Sequence, residues 1–485
     1  MNFIDTQKLL KNRGPDANSR MSQSALRANT RVASAAALEQ KSPSAAFFWL
    51  SAFYFVYCSR PEDWIPGLSY VPLAKISGIF AVVGLFFSIG KAKRSLHDLP
   101  REAMYLLAIT ALLIPSALLS PIWKGGAFFR GLDFSKVFIA WVLTFLLVTD
   151  FSKLRRIIFI QTGSVAVISI VSLLKGRSSP RLEGVLGGIY SNPNDLAFAI
   201  VLSLPFCFAF MLSARGGLRK LLWGVVMLLM LATVFLTGSR GGFITLLVAG
   251  IVALWHFGVK GRRWYLIAAT VLAGVLLFSF EGNVLVNRFV AIGGGSDLEG
   301  YQHAAYGSYE QRKQLMERAI EGIEHYPVFG IGMHNFPNYS GNWHDVHMTY
   351  LQIAVEVGIP AMVLYLLFFG RGFSNLRNIR KVKNLDPEIS LFVGALHSSL
   401  VGFVIGACFA PEAYEYFPYF AIAYTSALLA MMNEKEPGVA SQPASLSSTL
   451  NKSKFVSRSS PNQSVTGRNP GTRVALDHLR EHDWK

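Results

Sequence analysis

Apolar stretches near twenty residues long recur along most of this chain, and each is long enough to cross a hydrocarbon core of about 30 Å. Backbone amides and carbonyls find no water inside lipid, so an open strand edge is untenable and such stretches fold as helices. The runs lie at roughly 45–58, 73–90, 103–121, 134–149, 157–173, 195–213, 220–237, 241–257, 264–280, 347–369, 390–410 and 416–433. They predict an all-α polytopic membrane protein with about twelve transmembrane helices. A large, partly helical loop separates the ninth and tenth spans. Composition agrees: of 485 residues, 52% are hydrophobic and only 15% charged, against about a quarter charged in soluble domains. Phe47, Phe48, Trp49, Tyr54 and Tyr57 in the first span resemble an interfacial aromatic belt.

Orientation follows from alternate loops. One set holds Lys91, Lys93, Arg94 and Arg101, then Lys153, Arg155 and Arg156, then Arg215, Arg219 and Lys220. The same set continues with Lys260, Arg262 and Arg263, and ends with Arg371, Arg377, Arg380, Lys381 and Lys383. The other set has no comparable density, so the basic set is expected in the cytoplasm, with both termini inside. The net charge of +17 then reads as attraction to anionic headgroups, since no nucleic-acid-binding motif accompanies it. Cys58, Cys207 and Cys408 lie in or beside apolar runs, which predicts neither a disulfide framework nor a zinc site. The polar first 44 residues precede no h-region with a small-residue cleavage site, so a cleaved signal peptide is not expected. Residues 1–44 and the basic stretch 434–485 carry too little apolar material to order themselves and are expected to be disordered cytoplasmic tails.

The polar motifs gather on the opposite, non-cytoplasmic side, where arginines run against the usual bias. Gly-Ser-Arg-Gly-Gly around Arg240 sits where the seventh span ends and the eighth begins. A guanidinium stays charged and its planar fork suits a phosphate; an interfacial snorkelling arginine flanked by packing glycines is the alternative. Arg181 opens Arg-Leu-Glu-Gly, and Ser-Asn-Pro-Asn-Asp follows at Ser191 to Asp195. Asn192 or Asn194 suits a helix cap, and free amides at that helix start suit an anion.

The loop 281–346 contains one clear helix candidate, from Ser308 to Pro327, with Ser308 and Gln311 as a capping box. Tyr309, Met316, Ala319, Ile320 and Ile323 make its apolar face, and Arg312 falls on that face. A charge on a packing face is either paired for structure or directed at a ligand. Arg288, just beyond the ninth span, is a further anion-binding candidate. His347 stands at the mouth of the tenth span, where a neutral imidazole can take a proton from a hydroxyl. His344 and His347, with His334 and Asp345 near, are the alternative metal donors; arginines nearby repel a cation, so no metal is expected.

Taken in order, these motifs resemble the O-antigen ligase and polymerase superfamily of bacterial membrane proteins. The likeness runs from Arg181 to Pro360: R-x-x-G, N-P-N-D-x-A, G-S-R-G-G, a loop helix ending H-Y-P-V-F-G-I-G, and a His before Y-L-Q-x-x-x-E-x-G-I. The stretch from Ser59 to Gly78 is similar to proteins called O-glycosylation ligases. The resemblance implies a multi-pass protein of the bacterial inner membrane, with residues 45–433 as the transferase domain and the 281–346 loop in the periplasm. Such a protein moves a glycan from an undecaprenyl-pyrophosphate carrier to an acceptor hydroxyl on a lipid, glycan or protein, without metal or cofactor. Carried over by position, Arg240 and Arg312 bind the pyrophosphate and His347 orients or deprotonates the acceptor. Arg181, Asn194 and Arg288 belong to the pyrophosphate and glycan contacts. One departure is Met348, where the family often places Asn after the His. A polymerase or protein oligosaccharyltransferase of the same superfamily is the nearest alternative, and a lipid or sugar transporter is the alternative from another class.

Overall fold

The computed structural model describes residues 45–435 apart from 66, 89–92, 176–180, 185–189, 191, 291–298 and 343; side chains at 277, 278 and 280–308 are not described. Both expected disordered tails, apart from 434 and 435, therefore lie outside the described residues, as does Lys91. Every regular element among the described residues is helical. The main helices are α1 Ala45–Ser59, α2 Leu73–Ser88, α3 Arg101–Leu118, α4 Lys124–Leu147, α5 Phe151–Lys175, α6 Pro193–Ser213 and α7 Gly217–Thr237. They continue with α8 Arg240–Leu254, α9 Trp264–Val290, α10 Glu299–His325, α11 Thr349–Glu356, α12 Ile359–Ile379, α13 Pro387–Gly406 and α14 Tyr416–Lys435.

Seven of these, α3, α5, α6, α7, α8 with its extension to Val259, α12 and α13, are long and apolar enough to cross a membrane. Shorter apolar helices occupy Ala45–Ser59, Leu73–Phe87 and Trp264–Leu276. The chain is a multi-pass membrane protein. α6 is apolar on all sides, which is the signature of a helix surrounded by others, and 78% of its apolar window is buried inside the bundle. It packs against α7, α8 and α13, while α14 packs against α4 and α12, and α1 against α2 and α5.

Three expectations are corrected. The run at 347–369 is two helices, because Gly358 adopts φ +101 and a Cβ there would strike the Val328 carbonyl. The freed backbone is satisfied sideways: Ile331 N donates to Val355 O, Gly332 N to Glu356 O and Ile359 N to Pro327 O, at 2.8–2.9 Å. Next, α9 continues as helix to Val290, ten residues into the stretch read as loop from position 281. Last, α10 begins at Glu299, so Ser308 is interior to the helix and does not mark its start.

Arg94 also departs from its reading as a solvated, headgroup-facing charge. It is 4% exposed and donates to Glu434 Oε1 (2.9 Å), Phe145 O (2.9 Å), Val148 O (3.1 Å) and Ala427 O (3.3 Å). The guanidinium thus supplies donors to the end of α4 and ties it to α14. Arg94→Met leaves those acceptors unpaired and should lower unfolding stability by about 3 kcal/mol, while Glu434→Gln, which loses only a partly exposed partner, should cost about 1 kcal/mol. Thermal unfolding in detergent reads the difference; equal small shifts would rule out the clamp.

Candidate functional site

The start of α6, the end of α7 and the start of α8 meet at one side chain. Asn192 caps α6, its Oδ1 accepting from Asn194 N at 2.9 Å. Asn194 Oδ1 in turn accepts from Arg181 Nη2 and from Ser239 Oγ, each at 2.8 Å. Arg181 Nε donates to Thr237 O, the last residue of α7, at 2.8 Å. Ser239 Oγ caps α8 by accepting from Gly242 N at 3.1 Å. Arg181 and Asn194 therefore hold the frame in which Arg240 begins its helix. Gly238, at φ +58, closes α7, so that only Gly238 and Ser239 lie between the two helices.

Arg312 lies on the packed face of α10, but that face differs from the expected one. Leu315, Ala319 and Gly322 are buried, whereas Tyr309, Met316 and Ile320 are 43–58% exposed. The sequence stripe was rotated because Leu315 and Gly322 fit beneath the loop, with Leu315 and Ala319 joining Ile331, Phe336, Val346 and Val355 in a small second core. Arg312 Nε is buried and no described group accepts from it. Burial, and then the nearby Arg240 guanidinium, hold Arg312 below the ordinary arginine range. Two like charges thus face a common space with no described counter-ion between them.

His347 shares that space. Burial first, then Arg312 and His344, push its imidazole down to about 4, so it is neutral near pH 7. His344 connects the pieces: Gln311 Nε2, one residue before Arg312, lies 2.9 Å from His344 Nδ1. The His344 and His347 rings are 6.1 Å apart. The side chain of Arg288 lies outside the described residues, so its expected role stays an expectation.

A set of carboxyl groups lies nearby, of which the sequence reading named Asp345 but gave Glu412 and Glu415 no role. Thr349 fixes the segment before α14 by donating to Ala410 O (2.7 Å) and accepting from Glu412 N (3.0 Å). Glu412 is 6% exposed, and burial, then Asp195 and Glu415, hold it well above the usual carboxylate range. Asp195 Oδ1 and Asp345 Oδ1 are both buried without a described partner. His334, Asp345 and Glu356 offer ligand atoms within 4.8 Å of one another, the one metal-compatible group among the described residues. It shares His334 and Asp345 with the metal alternative considered from sequence, with Glu356 in place of His344 and His347. Glu356 is already held by Tyr414 Oη at 2.7 Å and, more weakly, by Phe336 N at 3.4 Å. The signal for this set was present in Phe-Ala-Pro-Glu-Ala-Tyr-Glu-Tyr-Phe, two acids in an otherwise apolar loop.

The folded value of His347 lies below the ordinary imidazole value of about 6.5. The unfolded chain therefore binds the extra proton first, and this group withdraws stability as pH falls from about 6.5 to about 4. Acylation of His347 by diethyl pyrocarbonate, followed by peptide mass mapping, should inflect near pH 4 in the native protein. Arg312→Gln removes a repelling charge and should move that inflection upward. An inflection at the ordinary value, unmoved by the substitution, would sink this picture.

Residues 225–366 match the family model described as O-antigen ligase. The matched segment holds Arg240, Arg312 and His347, while Arg181, Asn194, Asp195 and Glu412 lie outside it. A search of curated proteins finds no match.

Proposed function

We propose that this chain, whose residues 225–366 match the O-antigen ligase family model, is a lipid-linked glycan transferase of the ligase type. It works at the periplasmic face of the bacterial inner membrane, in a twelve-span arrangement with both termini cytoplasmic. The donor is a glycan on undecaprenyl pyrophosphate and the acceptor a hydroxyl. The observation that carries this reading is the buried, unpartnered Arg312 Nε beside Arg240 and His347. A pyrophosphate supplies the acceptors that Arg312 lacks and the charge that both arginines require. The acceptor oxygen attacks the anomeric carbon, its proton passes to a His347 ring nitrogen, and the carbon–oxygen bond to pyrophosphate breaks with the electron pair leaving on phosphate. Arg240 and Arg312 stabilise that departing charge. Arg181 and Asn194 position Arg240 through α7 and α8.

The reaction is tested with purified protein, a synthetic undecaprenyl-pyrophosphate glycan, a panel of acceptors and EDTA. Acceptor-dependent release of carrier should persist in EDTA. It should fall about 10²–10³-fold in Arg240→Ala and Arg312→Ala and about 10²–10⁴-fold in His347→Ala. The responding acceptor separates ligase from polymerase or protein transferase. Loss in EDTA, restored by a divalent cation, would transfer the chemistry to His334, Asp345 and Glu356. Carrier movement between liposome leaflets without turnover would favour a transporter instead.

A further inference from the structure

At the opposite end of α6 and α8 from Arg240, several helix ends converge on two adjoining cavities. One, of about 750 Å³, is lined by Arg155, Arg156, Arg215 and Arg219 together with an aromatic wall. Its neighbour, of about 740 Å³, is lined by Arg215, Lys260, Arg263, Arg380 and His256. Ser213, Arg215 and Glu388 line both, so the two form one groove with two lobes.

The acids in this groove are already engaged. Glu388 pairs with Arg155 at 2.9 Å, and Asp386 caps α13 by accepting from Glu388 N and Ile389 N. Arg156, Arg215 and Arg219 have no ion pair among the described residues, and the second lobe adds Lys260 and Arg263 in the same condition. A π-helical turn at Trp255–Val259 presents His256 to the second lobe, a distortion often found at functional positions. Arg380 Nη2 donates to His256 Nε2 at 3.2 Å, which aims that guanidinium. The wall of the first lobe is apolar and closed on itself: Phe210 stacks on Trp223 at 4.9 Å, and Phe159 meets their edges at 5.6 and 5.7 Å. Phe210 and Trp223 each use a face on the other, while Phe159, 51% exposed, keeps apolar surface open to the lobe. Leu221 and Leu222, on the adjoining surface of α7, are 64% and 61% exposed.

We propose that this groove binds an anionic phospholipid carrying two phosphates, one in each lobe, with acyl chains along the Phe159, Phe210 and Trp223 wall. In the orientation proposed above, the lipid belongs to the cytoplasmic leaflet. Two separate basic lobes sharing Arg215 match two phosphates on one headgroup, and basic pockets between helix ends on that face suit such lipids. The site stands apart from the transfer chemistry, so its failure leaves that reading untouched, and the reverse.

The test is native mass spectrometry of the full chain in detergent. The probes are a diphosphatidyl lipid, phosphatidylglycerol and phosphatidylethanolamine, with inorganic pyrophosphate as competitor. One diphosphatidyl lipid per chain should be retained at least about tenfold over phosphatidylglycerol. The triple variant Arg156→Gln, Arg215→Gln, Arg219→Gln should lose about fivefold or more per charge removed. Its control, Arg377→Gln, Lys381→Gln, Lys383→Gln, removes equal charge from exposed positions outside both cavities and should bind as wild type. Equal loss in both triples would reduce the groove to diffuse attraction and overturn the proposal. Equal retention of one- and two-phosphate lipids, or displacement by equimolar pyrophosphate, would overturn it as well. Thermal unfolding checks the fold, and if the triple variant does not fold, Arg215→Gln, which touches both lobes, carries the same comparison.

Discussion

The carbonyl oxygen of Asn194 is the point on which the Arg240 end of the bundle depends. It accepts from a guanidinium and a hydroxyl at once, and its two donors reach the end of α7 and the start of α8. A hydrogen bond from a charged donor contributes about 1.5–3 kcal/mol, and here it also fixes direction. Because only Gly238 and Ser239 separate α7 from α8, any shift in this clasp moves the first residue of α8, which is Arg240. The family match begins beyond Arg181 and Asn194, yet the geometry of its first arginine is set by them.

Around that frame the charges are sorted. Arg240 and Arg312 come from α8 and α10, while Glu412 and Glu415 come from the segment before α14, beside Asp195 and Asp345. Burial keeps Glu412 toward its neutral form, so the acids do not simply cancel the arginines. A buried cation is costly without a partner, and no described side chain serves Arg312 Nε. The anionic donor proposed above would supply that missing partner.

Much of this was legible in the sequence, for identifiable reasons. Helix positions follow from apolar runs whose length lipid dictates, and Arg240 declared itself because glycines and a charge at a span boundary break that pattern. Arg312 was found by its offset from apolar neighbours, although the stripe chosen was the wrong one. Side-chain volume under a loop decides which of two near faces packs, and periodicity does not see the loop. The break at Gly358 was hidden because the residues around it are apolar on both sides, and the backbone of Val328 and Phe329, packed where a Cβ would stand, comes from about thirty residues away. Arg94 was read as surface charge since its acceptors come from positions 145, 148, 427 and 434, distances in sequence that no local pattern spans.

The same sorting of charge orders the proposed reaction. In the free protein His347 is a weak base, since burial and the Arg312 charge both oppose its protonation. A pyrophosphate held by Arg240 and Arg312 adds negative charge in the space they share, offsets the second of those causes and raises the affinity of the imidazole for a proton. The base thus gains strength as the donor arrives, and a hydroxyl or water reaching the site without donor meets an imidazole poorly disposed to activate it. Burial remains in either state, which keeps the ring neutral and ready to accept. In this proposal the arginine that binds the leaving group is then also the residue that times the base.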